Sequence, residues 1–296
     1  MQTKQQIQTL LASAGVTPNH RRGQNFLIDL NLMRMLIKAA NIHSSDIILE
    51  VGSGTGSLTE EIAKLAGRVI ACEIDHTLAN ITRSGLQDTS NYQMFDTDIL
   101  ESKNTLDKNV KQAITEARDK YSGRFLLVSN LPYSIACPVM INLVTTEPYV
   151  DQMLVTVQKE VAQRMTAEPN SKNYGPIGIY LSAFGDTKII RTLKPSVFWP
   201  QPAVDSAFVS FQRNAGKANR IHDIAIFTKV VALFMQHRRK MLKACAKLAE
   251  HPLNQIHNFD CMFEGSFINP HARPENLTPE NYISIANMCA ESLGRN

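Results

Sequence analysis

The chain has 296 residues, of which 44% are hydrophobic and 20% charged, and it carries a net charge of +4. This balance excludes a disordered polyelectrolyte, and the length allows one large or two modest folded domains. Polar residues interrupt Ile7, Leu10 and Leu11, and nowhere do eighteen apolar residues run together, so neither a signal peptide nor a membrane span is expected. Cys72, Cys137, Cys245, Cys261 and Cys289 are scattered and odd in number, which fits a reducing cytoplasm and points to no metal site. From residue 214 onward ten Lys/Arg stand against seven Asp/Glu, which places most of the positive balance in the tail.

In chain order, Asp29 is placed to start a helix through Leu30-Asn31-Leu32-Met33, and Ser57 with Glu60 reads as a capping box for another. Asp75 marks a third start. Strands are predicted at 46–51, 68–74, 92–95, 124–129 and 152–157, with amphipathic segments between them; 103–120 reads as an additional amphipathic helix, a surface insertion by default. That alternation predicts an α/β fold with a mostly parallel, doubly wound Rossmann-like sheet. Segments 188–193 and 203–212 alternate as antiparallel edge strands. A small polar stretch at 214–219 reads as a linker, and helical patterns follow at 224–248, broken near Gln236, then 254–263 and 279–289. The expected domains are 1–213, the sheet domain, and 220–296, a small all-helical domain.

Three strand ends carry the chemistry. Glu50-Val51-Gly52-Ser53-Gly54-Thr55-Gly56-Ser57 joins the first strand to a helix, where doubly wound proteins bind nucleotides. A dinucleotide fingerprint needs its third glycine at position 57, where Ser57 stands. The acidic-x-Gly-x-Gly-x-Gly form is instead the one met in S-adenosylmethionine-dependent methyltransferases. Glu73 ends the second strand, placed to accept ribose hydroxyls, and Asp98 follows the third, placed to accept from an adenine amine. A solvated acid is the plainer reading of either one alone. Asn130-Leu131-Pro132-Tyr133-Ser134-Ile135-Ala136-Cys137-Pro138 ends the buried strand Phe125-Leu126-Leu127-Val128 in a polar, aromatic corner that packing alone does not require. Such a corner is often only a turn, but it also offers acceptors for a flat amine and an aromatic side chain to stack on the ring carrying it.

Together with Gly23-Gln24-Asn25-Phe26-Leu27, Gln158-Lys159-Glu160-Val161, Pro169-Asn170-Ser171-Lys172-Asn173-Tyr174-Gly175 and Phe198-x-Pro200-x-Pro202-x-Val204-Asp205-Ser206, these motifs resemble the ribosomal RNA adenine N6-dimethyltransferases over nearly the whole chain. The resemblance implies that Asn25, Leu27, Gly52, Gly54, Glu73, Asp98 and Asn130 bind S-adenosylmethionine. It implies that Asn130, Leu131, Pro132 and Tyr133 hold the target adenine and that Phe198 closes on it from the other side. Composition alone favours Phe198 as a core anchor beside Trp199, a preference that the resemblance reverses.

Leu131, Pro138 and the run His237-Arg238-Arg239-Lys240-Met241-Leu242-Lys243 resemble the small-subunit branch, which dimethylates two adjacent adenosines in the 3′-terminal hairpin loop of small-subunit rRNA during subunit assembly. The alternatives are a large-subunit enzyme of the macrolide-resistance type and an assembly factor with dispensable catalysis. A nicotinamide-dependent oxidoreductase is disfavoured by Ser57. Ser134, Ala136-Cys137 and Ser53 depart from the family pattern without removing any group given a role. Arg21, Arg22, Arg238, Arg239, Lys240 and Lys243 are the expected RNA contacts, although a charge run on a helix is usually a solvated face. The protein is expected to act as a monomer, without metal or membrane.

Overall fold

The computed structural model describes residues 1–19 and 23–294. Among the described residues the largest sheet has seven strands: β1 (Ile47–Val51), β2 (Arg68–Glu73), β3 (Tyr92–Asp96), β4 (Phe125–Asn130), β5 (Gln152–Gln158), β6 (Gly185–Leu193) and β7 (Ser206–Arg213). Their spatial order is β3-β2-β1-β4-β5-β7-β6. The first five run parallel, and β7 pairs antiparallel with β5, as the sequence pattern predicts. All five β1 residues are buried, whereas β3 is half-buried throughout. Central strands of a parallel sheet are covered on both faces, so they read as continuous apolar runs; an edge strand need not be.

Parallel strands require crossovers. The predicted helix at 103–120 is the crossover between β3 and β4, shortened to Lys108–Lys120 and preceded by a small hairpin, Leu100–Ser102 with Thr105–Leu106. It therefore belongs to the topology rather than being a surface insertion. Asp107 caps its start, and Val110, Ala113, Ile114 and Ala117 form the buried stripe against the sheet. At the opposite ends of the strands Asp46 ties β1 to β4, accepting from Arg124 at its backbone N (2.9 Å) and its guanidinium (2.6 Å). Burial alone would raise the Asp46 pKa, but the Arg124 bonds and charge hold it below the usual carboxylate range.

The chain forms two compact units, Met1–Ala162 with Lys188–Gln212, and Gln163–Thr187 with Arg213–Asn296. Residues 163–187 thus group with the C-terminal residues, although the sequence reading placed them before the boundary at 213. The helix Pro176–Phe184 is apolar nearly all round and meets the C-terminal helices, with Tyr180 edge-on to Phe227. Tyr174 Oη donates to the Leu277 carbonyl (2.7 Å), and Asn276 Nδ2 donates to Asn170 Oδ1 (2.6 Å).

The expected linker at 214–219 is a short helix, Ala215–Ala218, capped by Asn214. The break foreseen near Gln236 is present: Ile224–Gln236 stops there and Leu242–Ala246 resumes. The last two predicted helices appear as Phe259–Gly265 and Pro279–Ser292. Phe234 packs tilted against Phe263 and edge-on to Tyr282 in the core of this unit, and all three are fully buried.

Candidate active site

A cavity of about 300 Å³ opens at the carboxyl ends of β1, β2 and β4. Here the strand order reverses, the place where open α/β sheets bind ligands. Its wall includes Asn25, Leu27, Gly52, Gly54, Glu73, Asp98, Asn130, Leu131, Pro132 and Tyr133, which brings every expected donor and acceptor residue but one into a single space.

The exception is Phe198. Its ring is 1% exposed and packs in the main core with Leu27, Leu193 and Phe208 rather than in the cavity wall. The short strand Phe198–Trp199 pairs with Phe26–Leu27, which directs that side chain inward. The expected second stacking ring is therefore a core anchor. Its motif reaches the site through Ser206 instead, buried at the start of β7, whose hydroxyl shares a 2.6 Å hydrogen bond with Tyr133 Oη. Burial raises the Tyr133 phenol pKa, partly offset by that bond, so the group stays neutral and the ring keeps one orientation.

Gly52, Gly54 and Gly56 all have positive φ, at 77°, 61° and 80°. A Cβ on Gly52 would lie 2.9 Å from Pro132 Cγ, and one on Gly54 3.0 Å from the Phe26 ring. The loop thus needs glycine twice over, for conformation and for close approach. Gly56 itself is the N-cap of the helix Ser57–Ala63, without a side-chain cap bond, so the capping box expected at Ser57 is absent. Ser57 Oγ accepts instead from the Gln2 backbone N–H (2.8 Å). Asp29 and Asp75 cap their helices as read from the sequence.

Glu73 is 6% exposed, and its carboxylate accepts from Gly54 N (2.9 Å) and Asp75 N (3.0 Å). Desolvation raises its pKa and these bonds oppose the rise. Each oxygen keeps a further lone pair for a ligand. Asp98 stands exposed at the rim, with Oδ1 turned to Leu100 N (2.9 Å).

Asn130 is held from both sides of its amide. Its Nδ2 donates to the Asn25 carbonyl (2.9 Å), and Thr156, its register partner on β5, donates a hydroxyl to Oδ1. A carbonyl can only accept, so the amide cannot flip, and Oδ1 retains one lone pair. Thr156 and Ser206 were not anticipated; the signal available in the sequence was only a hydroxyl within one largely apolar strand and another at the start of a second.

Glu50 was read merely as the acid before the glycine loop. It is 2% exposed, lines the cavity, and its Oε2 has no hydrogen-bond partner. Burial, with the Glu73 charge adding to it, pushes its pKa up to about 8 against the Thr59 hydroxyl beside it.

Of the expected RNA contacts, Arg21 and Arg22 lie outside the described residues. Arg239 and Lys240 are exposed. Arg238 instead bonds Glu275 Oε2 at 3.1 Å, which ties two segments of the second unit together. Lys243 Nζ sits 3.4 Å from His271 Nε2. No helix among the described residues is long and apolar enough to cross a membrane.

Sheet order, glycine loop and strand-end carboxylate define a Rossmann-like methyltransferase. The chain matches the ribosomal RNA adenine dimethylase family over residues 16–291, and it belongs to that family. It is 35% identical to the ribosomal RNA small subunit methyltransferase A of Pediococcus pentosaceus, spanning 94% of this chain and 92% of that protein. Identity to the protein of the same name from Streptomyces coelicolor is 33%, over 95% and 94% of the two chains. A dimethyladenosine transferase from Plasmodium falciparum shares the fold at a TM-score of 0.69 and 22% identity, covering 90% of this chain and 98% of that one. The 23S rRNA methyltransferase ErmE does so at 0.58 and 20%, covering 89% and 98%.

Proposed function

We propose that the protein transfers methyl groups from S-adenosylmethionine to N6 of two adjacent adenosines in the 3′-terminal hairpin loop of small-subunit rRNA, within the assembling subunit. The observation that carries this reading is the fixed Asn130 amide, whose oxygen keeps one lone pair beside a cavity with a buried acceptor at Glu73. Its relatives named for the small ribosomal subunit support that substrate over the large-subunit alternative.

The cavity suits the donor. Gly52 and Gly54 leave space that any side chain would fill, Glu73 offers lone pairs to ribose hydroxyls, and the orphaned Glu50 Oε2 calls for a cationic or hydrogen-donating group. When bound, S-adenosylmethionine supplies an electrophilic methyl on a positively charged sulfur.

The rest falls to the chain's own residues. An adenine amine is a weak nucleophile because its lone pair is delocalised into the ring. Asn130 Oδ1 and the Leu131 carbonyl accept hydrogen bonds from its two N–H groups and draw the nitrogen toward tetrahedral geometry, and the proton that the nitrogen sheds on methylation passes to water; the Pro132 carbonyl is occupied by Ile135 N (3.2 Å). Tyr133, locked by Ser206, stacks on the base, an interaction of about 1–3 kcal/mol. No strong base is needed, since orientation alone supplies up to roughly 7–11 kcal/mol in favourable systems.

Labelled S-adenosylmethionine incubated with unmethylated small- or large-subunit particles, followed by mapping of the modified bases, tests the assignment. Label confined to large-subunit RNA would refute it. The exposed cations of the second unit favour a companion role in binding the particle, which a Glu73→Ala protein that still rescues subunit assembly would separate from catalysis.

A further inference from the structure

Phe267 is 98% exposed, while the next most exposed large hydrophobic residue among those described, Ile74, reaches 53%. Its backbone is unusual as well. The helix Phe259–Gly265 ends in a Schellman motif, with Phe267 N–H donating to the Glu264 carbonyl (2.9 Å) and Ile268 N–H to the Phe263 carbonyl (2.8 Å). This places Phe267 at the left-handed position of the motif, with φ of 55°. Glycine or asparagine is the usual occupant there, because a Cβ crowds the backbone at positive φ. Ile268 and Phe263, 8% and 0% exposed, hold the two positions whose apolar side chains usually accompany this motif, and both are buried while the Phe267 ring is not. Folding therefore gains nothing from a phenyl group here and loses conformational free energy to it.

The surroundings indicate what the ring meets. Residues 237–249 contain Arg238, Arg239, Lys240, Lys243 and Lys247, residues 265–274 contain His271 and Arg273, and neither stretch has an acid. The two are bound together: Lys243 N donates to the Pro270 carbonyl (3.0 Å) and Leu242 N to the Ala272 carbonyl (2.9 Å). Phe267 lies three residues from Pro270, so at most about 11 Å of chain separates the ring's anchor from this basic seam. The nearby acid Glu275 is taken by Arg238. Exposed Glu264 and Asp260 on the preceding helix are the acids nearest in the chain, and the seam on the other side of the ring carries only cations. An exposed aromatic beside a cationic seam is an arrangement that suits single-stranded nucleic acid, with the ring on a base and the cations on flanking phosphates.

We propose that Phe267 stacks on an unpaired base of the ribosomal RNA, a contact separate from the methylation cavity. The inference rests on the rRNA substrate proposed above. It is tested on the full chain by measuring affinity for protein-free unmethylated small-subunit rRNA and for unmethylated small-subunit particles across a salt series, with F267G and F267W. F267G should weaken both interactions by about 5- to 100-fold. The salt slope should not change, because stacking releases no counterions. F267G should also keep the thermal stabilisation by S-adenosylhomocysteine and melt about 2 °C higher, whereas F267W should bind within about threefold of the unmodified protein. F267G binding both RNAs as the unmodified protein does would overturn the proposal. So would a loss seen with particles alone, which would assign the ring to a ribosomal protein. An unmodified protein that binds neither RNA would instead overturn the substrate reading itself.

Discussion

In the cavity of the first unit, Asn130, Glu73 and Tyr133 each take hydrogen bonds from distant segments of chain, and each is at least partly buried. On the second unit Arg239 and Lys240 extend into solvent. The first region has its geometry set before any ligand arrives, and losing one partner there leaves another buried polar group exposed to the full cost of desolvation. The second holds no fixed geometry; its contribution is a sum over charges, weakened by salt. Substitutions should therefore act steeply in one region and gradually in the other.

The largest effect should come from Asn130→Ala. Methyl transfer to unmethylated particles should fall by about 10²–10³-fold, the range seen when one preorganised polar group is removed from an active site, while circular dichroism shows the protein folded. Near-normal turnover would end the role assigned to the amide.

Glu50 gives a stability test of the same region. Its folded pKa of about 8 lies above its unfolded value, so between those two values the folded state binds more protons and stability must fall as pH rises. The ligand-free protein should lose roughly 2 kcal/mol between pH 6 and 8. Glu50→Gln, which cannot ionise, should flatten that part of the melting-temperature profile; an unchanged profile would locate the titration elsewhere.

On the basic surface, Arg239→Glu with Lys240→Glu should weaken rRNA binding by about 10-fold at moderate salt and reduce the salt slope by about 1–2. Thr156→Val should lower kcat by about tenfold, the loss of one buried hydrogen bond, with the KM for S-adenosylmethionine little changed. A larger rise in KM than fall in kcat would show that Thr156 serves the donor rather than Asn130. Smallest is Arg238→Ala. Its ion pair with Glu275 is about one-third exposed, so the cost should stay under about 1 kcal/mol.

The parallel sheet was legible because buried strands read as apolar runs. The glycine loop, Glu73 and the Asn130 corner could each have been a turn or a solvated acid, and drew notice only because they stand at neighbouring strand ends, where the fold gathers them around one cavity. What was hidden depended on partners distant in the chain. Phe198 looked like a stacking ring until its pairing with Leu27 turned it into the core. Residues 163–187 carry no mark that they pack with the C-terminal helices. Ser57 has the composition of a cap, but the left-handed Gly56 takes that position. Thr156 and Ser206 are ordinary strand residues in the sequence and acquire meaning only when β5 and β7 bring their hydroxyls under Asn130 and Tyr133.

The N-terminal helix Lys4–Ser13 places Ile7 in the cavity wall, yet Ile7 does not belong to the main core. With Leu11, Phe26 and Leu78 it forms a small separate cluster. A wall anchored in a satellite cluster detaches at less cost than one anchored in the sheet. Amide exchange should show residues 4–13 opening far more often than β1 or β4. Opening of this wall would widen the cavity while the sheet that holds Asn130 stays intact.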